Sequence, residues 1–569
     1  MSEPNGDASN ASRLATRRQV IAAMAAAPVL TGAAMAQTST DLQNLMPAIP
    51  KLGRNPMIAR TYKVPMRDGA KLALDLYFPE GDGPWPVILQ RTPYSRRTSY
   101  MVDPYGLMPD AGFIYAVQDC RGRFDSEGVY RPFLDDMEDG YDTVEWLASQ
   151  PWSTGKIGMM GASAMGITTY MAAMAQAPHL AAAWVSVCRN PSETLSRFPG
   201  GILLENGAGE WSKVVGLANA PSRVPHIAQW SDDDVRVDMR RFYSKIDVPM
   251  MHVGGWYDIH SQPLLDVYAG LQNEGAPGAR GRQKLVMNAA AHIAPVKGVT
   301  FPNDPSGPWQ SPDKIIRWFE HWLKGADNGV EREPTVRYYR MGDTHDPAAP
   351  GNVWREAEAW PPASAPLRLF LRPDGGLGVR RPAKAGRRDY VYDPNDAVPT
   401  QGGNNLFMDS GPMDQRLVSQ RPDVLRFVGE PLSAPLEVAG HVFADLWVST
   451  DADDTDFIVK LVDIHPDGFE ALVHDQGLRL RHRNGLASQE RAAPGQIYPI
   501  RVDLWSTALV FNKGHRIGVF IQSSNWPRFE RHTNTWEPVE SYARAVKARN
   551  TVHFGAGEPS AVILPIATN

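Results

Sequence analysis

The chain has 569 residues, 43% of them hydrophobic and 21% charged, which is the composition of a globular protein long enough for about three or four domains. Its 58 basic and 63 acidic residues give a formal net charge of −5 with no basic stripe, which sets nucleic acid aside as a partner. No apolar run reaches the roughly 20 residues that a membrane span needs.

The first 36 residues have a polar start, then Arg17-Arg18, then an alanine-rich apolar run ending Ala34-Met35-Ala36. This resembles a twin-arginine export signal, which predicts a mature chain from about Gln37 and a periplasmic or secreted product. Export would permit a disulfide between the only two cysteines, Cys120 and Cys188. They fall at the ends of different expected strands, and free thiols are the expectation.

From about residue 57 to 190, apolar runs alternate with helical patterns. WPVILQRTPY (85–94), FIYAVQD (113–119), KIGMMGAS (156–163) and AAAWVSV (181–187) read as strands. DDMEDGYDTVEWLASQ (135–150) and ITTYMAAMAQA (167–177) read as helices between them, each stopped by a proline. Continuous apolar strands separated by helices predict a parallel sheet covered on both faces.

Residues 189–246 break the rhythm and read as a helical insertion. VPMMHVGGWYD (248–258) and QKLVMNAAAH (283–292) resume the strands, and SPDKIIRWFEHWLKG (311–325) is a helix with Ile315, Trp318, Phe319, Trp322 and Leu323 on one face. Beyond about residue 350 the period becomes two. HVFADLWVS (441–449), DFIVKLVD (456–463) with its HPDG turn, and HRIGVFIQSS (515–524) predict a β-sandwich. No Cys or His spacing suggests a metal site, and no phosphate-binding loop occurs. The acidic run DADDTD (451–456) reads as a solvated strand entrance rather than a calcium loop.

The chemistry centres on GMMGASAMG (158–166). A strand, a tight turn bearing Ser163 and then a helix is the setting of a nucleophile elbow. Gly161 would relieve crowding beside the serine, and the N–H groups of the helix start would face a developing oxyanion. The usual G-x-S-x-G is not met, because Met165 holds the last glycine position, so a purely structural turn stays open on the motif alone. An acid and then a histidine should follow further along the chain. Asp258 ends a strand on the side where open α/β sheets place their sites. Of His260, His292, His321 and His345, His292 is best placed, directly after the next strand.

These segments resemble the cocaine-esterase-like and X-Pro dipeptidyl-peptidase family of α/β-hydrolase serine hydrolases, which also includes α-amino-acid ester hydrolases and acylases. The family elbow is G-x-S-x-x-G, matched by Gly161, Ser163 and Gly166. QDCRGRFDSEG (118–128), GGWYD (254–258), RWFEHWLKG (317–325) and GHRIGVFIQSS (514–524) agree along nearly the whole mature chain.

The resemblance implies Ser163 as nucleophile, Asp258 as orienting acid, His292 as base, and an oxyanion hole from the Ala164 N–H and the Tyr94 hydroxyl of RTPY (91–94). It implies a hydrolase domain over 37–188 and 248–350, a helical cap over 189–247 and a C-terminal jelly roll over 351–569. The pocket would lie where the three meet, with His260, Phe198, Trp211, Leu406 and Phe407 as candidate lining residues. Two departures stand out. Ala164 replaces the family's tyrosine, and NAAAH replaces the Gly-Pro-Trp segment before the histidine. Ile259 and His260 stand where α-amino ester hydrolases carry amine-binding acids, which argues against a free α-amino group on the substrate. The expected activity is hydrolysis of small-molecule carboxylic esters without a cofactor or metal. The alternatives are an amide-cleaving relative and a binding protein on a catalytically silent hydrolase fold. The oligomeric state is left open, a homo-oligomer included.

Overall fold

The computed structural model describes residues 59–98, 105–217, 230–292, 295–307, 311–537 and 542–568. The leader over residues 1–36 lies outside them. Among the described residues, no helix is long and apolar enough to cross a membrane.

A ten-stranded sheet forms the first half. Its strands are β1 (Arg60–Pro65), β2 (Lys71–Tyr77), β3 (Trp85–Thr92), β4 (Ile114–Asp119), β5 (Ser153–Ala162), β6 (Leu180–Ser186), β7 (Met250–Tyr257), β8 (Lys284–Ala291), β9 (Val336–Arg340) and β10 (Val353–Ala357). They lie in the order β1-β2-β4-β3-β5-β6-β7-β8-β9-β10. The pairs from β4 through β3 to β9 are parallel, and only β1, β2 and β10 run against their neighbours.

Both faces are covered, which is why the strands read as unbroken apolar runs. Val87, Leu89 and Met159 join one core with α1 (Asp136–Ala148) and α2 (Ala164–Met174). Ile88 and Met160 point the other way, against Ile315, Trp318, Phe319 and Leu323 of α4 (Pro312–Lys324). α3 (Ser261–Glu274) follows β7. Gly158 lets α4 close on the sheet, since a Cβ there would sit 2.5 Å from the Phe319 ring.

The insertion between β6 and β7 holds short helices at Glu193–Arg197, Glu205–Val214 and Asp232–Val237. Asp234 gathers two of them, accepting the N–H groups of Glu193 and Thr194 at 2.9 and 3.2 Å. The expected sandwich follows β10. Eleven strands between Ser364 and Ala567 share one hydrogen-bonded network. β9 and β10 belong to the first sheet, so that sheet reaches past residue 350 to Ala357.

Only the start of the DADDTD run is solvated, with Asp451 exposed and Asp453 half-exposed. Asp454 and Asp456 are buried, and they pair with the buried guanidiniums of Arg481 and Arg479. An acidic run reads as surface until the arginines that neutralise it, over 20 residues later in sequence, are brought alongside. Cys120 and Cys188 are both free and buried.

Candidate active site

Ser163 stands between β5 and α2 with φ 54° and ψ −124°. This is strained backbone for a residue with a Cβ, costing of order 1–3 kcal/mol. The surroundings enforce it. The Ser163 N–H bonds the Ser186 carbonyl at 2.9 Å, and its own carbonyl accepts the Ile167 N–H at 3.0 Å, starting the helix. A Cβ on Gly161 would lie 2.3 Å from the Met165 backbone, and one on Gly166 would lie 2.7 Å from the Cys188 Cβ. The spacing G-x-S-x-x-G is therefore a packing requirement of this turn, and Met165 is tolerated because the second close approach falls at Gly166.

The structure brings the sequence-expected triad into contact. His292 Nε2 lies 2.9 Å from Ser163 Oγ, and His292 Nδ1 lies 2.6 Å from Asp258 Oδ2. The His292 side chain is 4% exposed and that of Asp258 is fully buried. Asp258 Oδ1 accepts the His260 backbone N–H at 2.6 Å, so both carboxylate oxygens are held. The second domain reaches this loop as well. Asn404 Nδ2 donates to the Trp256 and Asp258 carbonyls at 2.8 and 2.9 Å, and its Oδ1 faces His474 Nδ1 at 3.2 Å. The sequence reading named this loop for Leu406 and Phe407 and missed Asn404, whose partners are 148 and 146 residues away.

Tyr94 sits at the end of the turn after β3. Buried arginines anchor this turn. Arg91 pairs with Asp136 at 2.8 Å, while Arg96 pairs with Asp75 and Asp119. Asp119 of the QDCRG segment also accepts the Arg96 backbone N–H at 2.7 Å. The Tyr94 hydroxyl accepts a hydrogen bond from Trp211 Nε1 at 2.8 Å. Burial pushes its phenol up to about 12, with the Trp211 bond and a contact to Ser163 acting against it. Tyr94 thus stays a neutral donor next to the serine. Ala164 opens α2, where an N–H has no intrahelical acceptor.

The pocket above Ser163 encloses about 490 Å3, its open mouth included. Ser163 and Ala164 form its floor, with His260, Trp211 and Leu406 on its walls as expected. His260 meets the His292 ring edge-on at 5.4 Å between centroids. Burial, with His292 and Arg189 nearby, holds it well below the usual histidine range and therefore neutral.

Two expected lining residues do not line the pocket. Phe198 is absent from the wall and buried in a small core with Leu203, Ala208 and Leu486. Phe407 is absent from the wall and half-buried. Both are aromatic and adjacent to true wall segments, and sequence gives no signal for which way they turn. The missed wall residues include Phe133, Ile167, Ile259, Arg189 and Arg197. The arginines share Glu193 as ion-pair partner. Burial pulls Arg189 down to about 10 and Arg197 down to about 9, so both remain charged at neutral pH.

A strained serine turn at the carboxyl edge of a mostly parallel sheet, bridged by histidine to a buried aspartate, is the arrangement of an α/β hydrolase of the serine type. Comparison with known proteins agrees. Residues 68–232 and 222–294 match the X-Pro dipeptidyl-peptidase (S15 family) pattern, and residues 328–563 match the X-Pro dipeptidyl-peptidase C-terminal non-catalytic domain. Cocaine esterase of a Rhodococcus species is 31% identical over 588 residues, covering 90% of this chain and 99% of the esterase. Among solved structures, an aminopeptidase from a marine-sediment thaumarchaeon superposes with a TM-score of 0.77 at 25% identity, covering 92% of this chain and 99% of that one. An α-amino acid ester hydrolase gives 0.75 at 25% identity over 91% of this chain and 99% of its own. The chain belongs to the cocaine-esterase-like and X-Pro dipeptidyl-peptidase family of serine hydrolases.

Proposed function

We propose that this serine hydrolase cleaves small-molecule carboxylic esters with an uncharged acyl side, through an acyl-enzyme on Ser163. On the twin-arginine pattern of its first 36 residues, we take it to be exported. The observation that carries the reading is the chain Ser163–His292–Asp258 opening on a pocket whose charged wall groups, among the described residues, are Arg189 and Arg197. His292 Nε2 takes the serine proton as Oγ attacks the ester carbonyl carbon. Asp258 holds the opposite ring nitrogen and balances the imidazolium. The negative oxygen that develops is met by the Tyr94 hydroxyl and the Ala164 N–H. His292 then returns the proton to the departing alkoxide, and water repeats the sequence to release the acid.

The pocket also bears on which substrates fit. A free α-amino group would be an ammonium facing two guanidiniums, with no carboxylate among the described wall residues. A neutral acyl p-nitrophenyl ester should therefore exceed the matching α-amino acid ester in kcat/KM by at least about tenfold, the equivalent of roughly 1.4 kcal/mol. Xaa-Pro p-nitroanilides should be poorer still. A panel of the three on purified protein checks this, and a preference for the amino ester or the nitroanilide would replace the proposed substrate class with an amine-bearing or amide one.

Tyr94→Phe removes one donor and keeps the ring. The carbonyl oxygen becomes an oxyanion only as attack proceeds, so kcat should fall about 10²–10³-fold with little change in KM. Trp211 would keep its place but lose its acceptor. Steady-state kinetics and a melting curve on the same preparation check this. Near-normal kcat would make Tyr94 a structural residue.

A further inference from the structure

Five side chains outside the catalytic pocket converge where the hydrolase sheet meets the sandwich. Asp343 and His345 come from the loop between β9 and β10. Asp463 is the penultimate residue of the strand Asp456–Ile464, His465 opens the HPDG turn after it, and His515 precedes the strand Arg516–Gln522. All are buried except His345. Asp343, His345 and His465 each offer a ligand atom, and these atoms lie within 4.8 Å of one another. Asp463, His465 and His515 do the same.

Hydrogen bonding separates the two sets. His515 is already engaged, with Nδ1 2.8 Å from Asp463 Oδ1 and Nε2 3.2 Å from Asp343 Oδ2. His465 is not. Its side chain is 5% exposed, and its Nδ1 has no hydrogen-bond partner. That nitrogen faces Asp343 Oδ1 at 3.5 Å, and Nε2 faces Asp463 Oδ2 at 3.6 Å. These separations exceed the hydrogen-bond range of about 2.7–3.2 Å. The first of them suits the ligand-to-ligand edge, roughly 3.3–3.6 Å, of a tetrahedral site with bonds of about 2.0–2.2 Å.

Asp343 and Asp463 place two buried carboxylates in the cluster, the oxygen donors that a divalent cation takes alongside imidazole. The far atoms of two candidate ligands also face groups that would orient them. Asp467 Oδ2 lies 3.2 Å from His345 Nδ1, and His515 Nε2 lies 3.2 Å from Asp343 Oδ2. Such outer contacts characterise metal-ligating histidines and carboxylates.

We propose that Asp343, His345 and His465 bind one divalent transition-metal ion, Zn2+ by ligand type, with water completing the site beside half-exposed His345. The ion would clasp the loop after β9 to the sandwich turn. None of the five side chains lines the catalytic pocket, so the role is structural.

The test uses the full-length protein, stripped with a chelator and dialysed. Titration with Co2+, followed by visible absorption, should reveal one tetrahedral site per chain, and Zn2+ should displace the Co2+ and raise the melting temperature. His345→Ala is at the surface and should fold, yet it should weaken Zn2+ binding by at least tenfold. Asp467→Asn should weaken it about 10–100-fold. Ester hydrolysis by both variants should match wild type, which confirms folding independently of the metal. Absence of stoichiometric binding to the wild type, or wild-type affinity in both variants, overturns the proposal.

Discussion

Ser163→Ala is expected to lower kcat by on the order of 10⁶ while leaving a folded protein, as removal of the nucleophile does in other triads. The size follows from what Oγ alone supplies. It is the atom that attacks, and it is the group His292 Nε2 contacts at 2.9 Å. Alanine keeps a Cβ, so the strained turn at φ 54° is neither relieved nor worsened. The turn's backbone bonds to Ser186 and Ile167 do not involve the hydroxyl. The residual rate should come from the oxyanion donors and from binding. Turnover above a tenth of wild type, on protein shown to be free of parent enzyme, would remove Ser163 from the mechanism. A fluorophosphonate probe gives a second reading: it should label the parent and leave the variant unlabelled.

His292→Ala should be nearly as severe, again on the order of 10⁶ in kcat, because nucleophile and base act as a unit and their losses do not add. The informative comparison is His260→Ala. The two rings are 5.4 Å apart and edge-on, so proximity alone does not tell them apart. Their contacts do. His292 bridges Ser163 to Asp258, whereas His260 contributes a backbone N–H to Asp258, lines the pocket and has a buried Nδ1 with no hydrogen-bond partner. His260→Ala keeps that backbone bond. It should shift KM and acyl preference while the pre-steady-state burst of alcohol release persists. Loss of the burst in His260→Ala, with a burst retained in His292→Ala, would reverse the assignment.

The parts of the molecule that follow a local rule were legible in the chain. β3 to β8 announce themselves as apolar runs because both sheet faces are covered. α4 is betrayed by one face of large apolar residues and by Gly325, which takes the left-handed conformation at its end. The position of Ser163 follows from strand, glycine and helix in sequence, and Asp258 and His292 follow from strand ends. What stayed hidden depends on partners distant in sequence. The triad loop's bond to Asn404, the arginines beneath DADDTD and the cluster around His465 are pairings across 20 to over 100 residues, and no local spacing encodes them. Side-chain direction in irregular segments is equally silent. Phe198 turns into a small core with Leu203, while Trp211, 13 positions on, reaches the Tyr94 hydroxyl. Both are aromatic cap residues, and only the fold decides between them.

Asn404 also bears on how this enzyme fails. The carbonyls on either side of the catalytic acid's loop end on one amide that belongs to the other domain, and that amide leans in turn on His474. The two halves of the chain therefore share a joint at the point where Asp258 is aimed. Gentle heating or dilute denaturant that merely parts the sheet from the sandwich, with each half still folded, should already slacken the aspartate. Activity should then fall ahead of far-UV circular dichroism in one melt and return on cooling, because nothing has to refold beyond the seam.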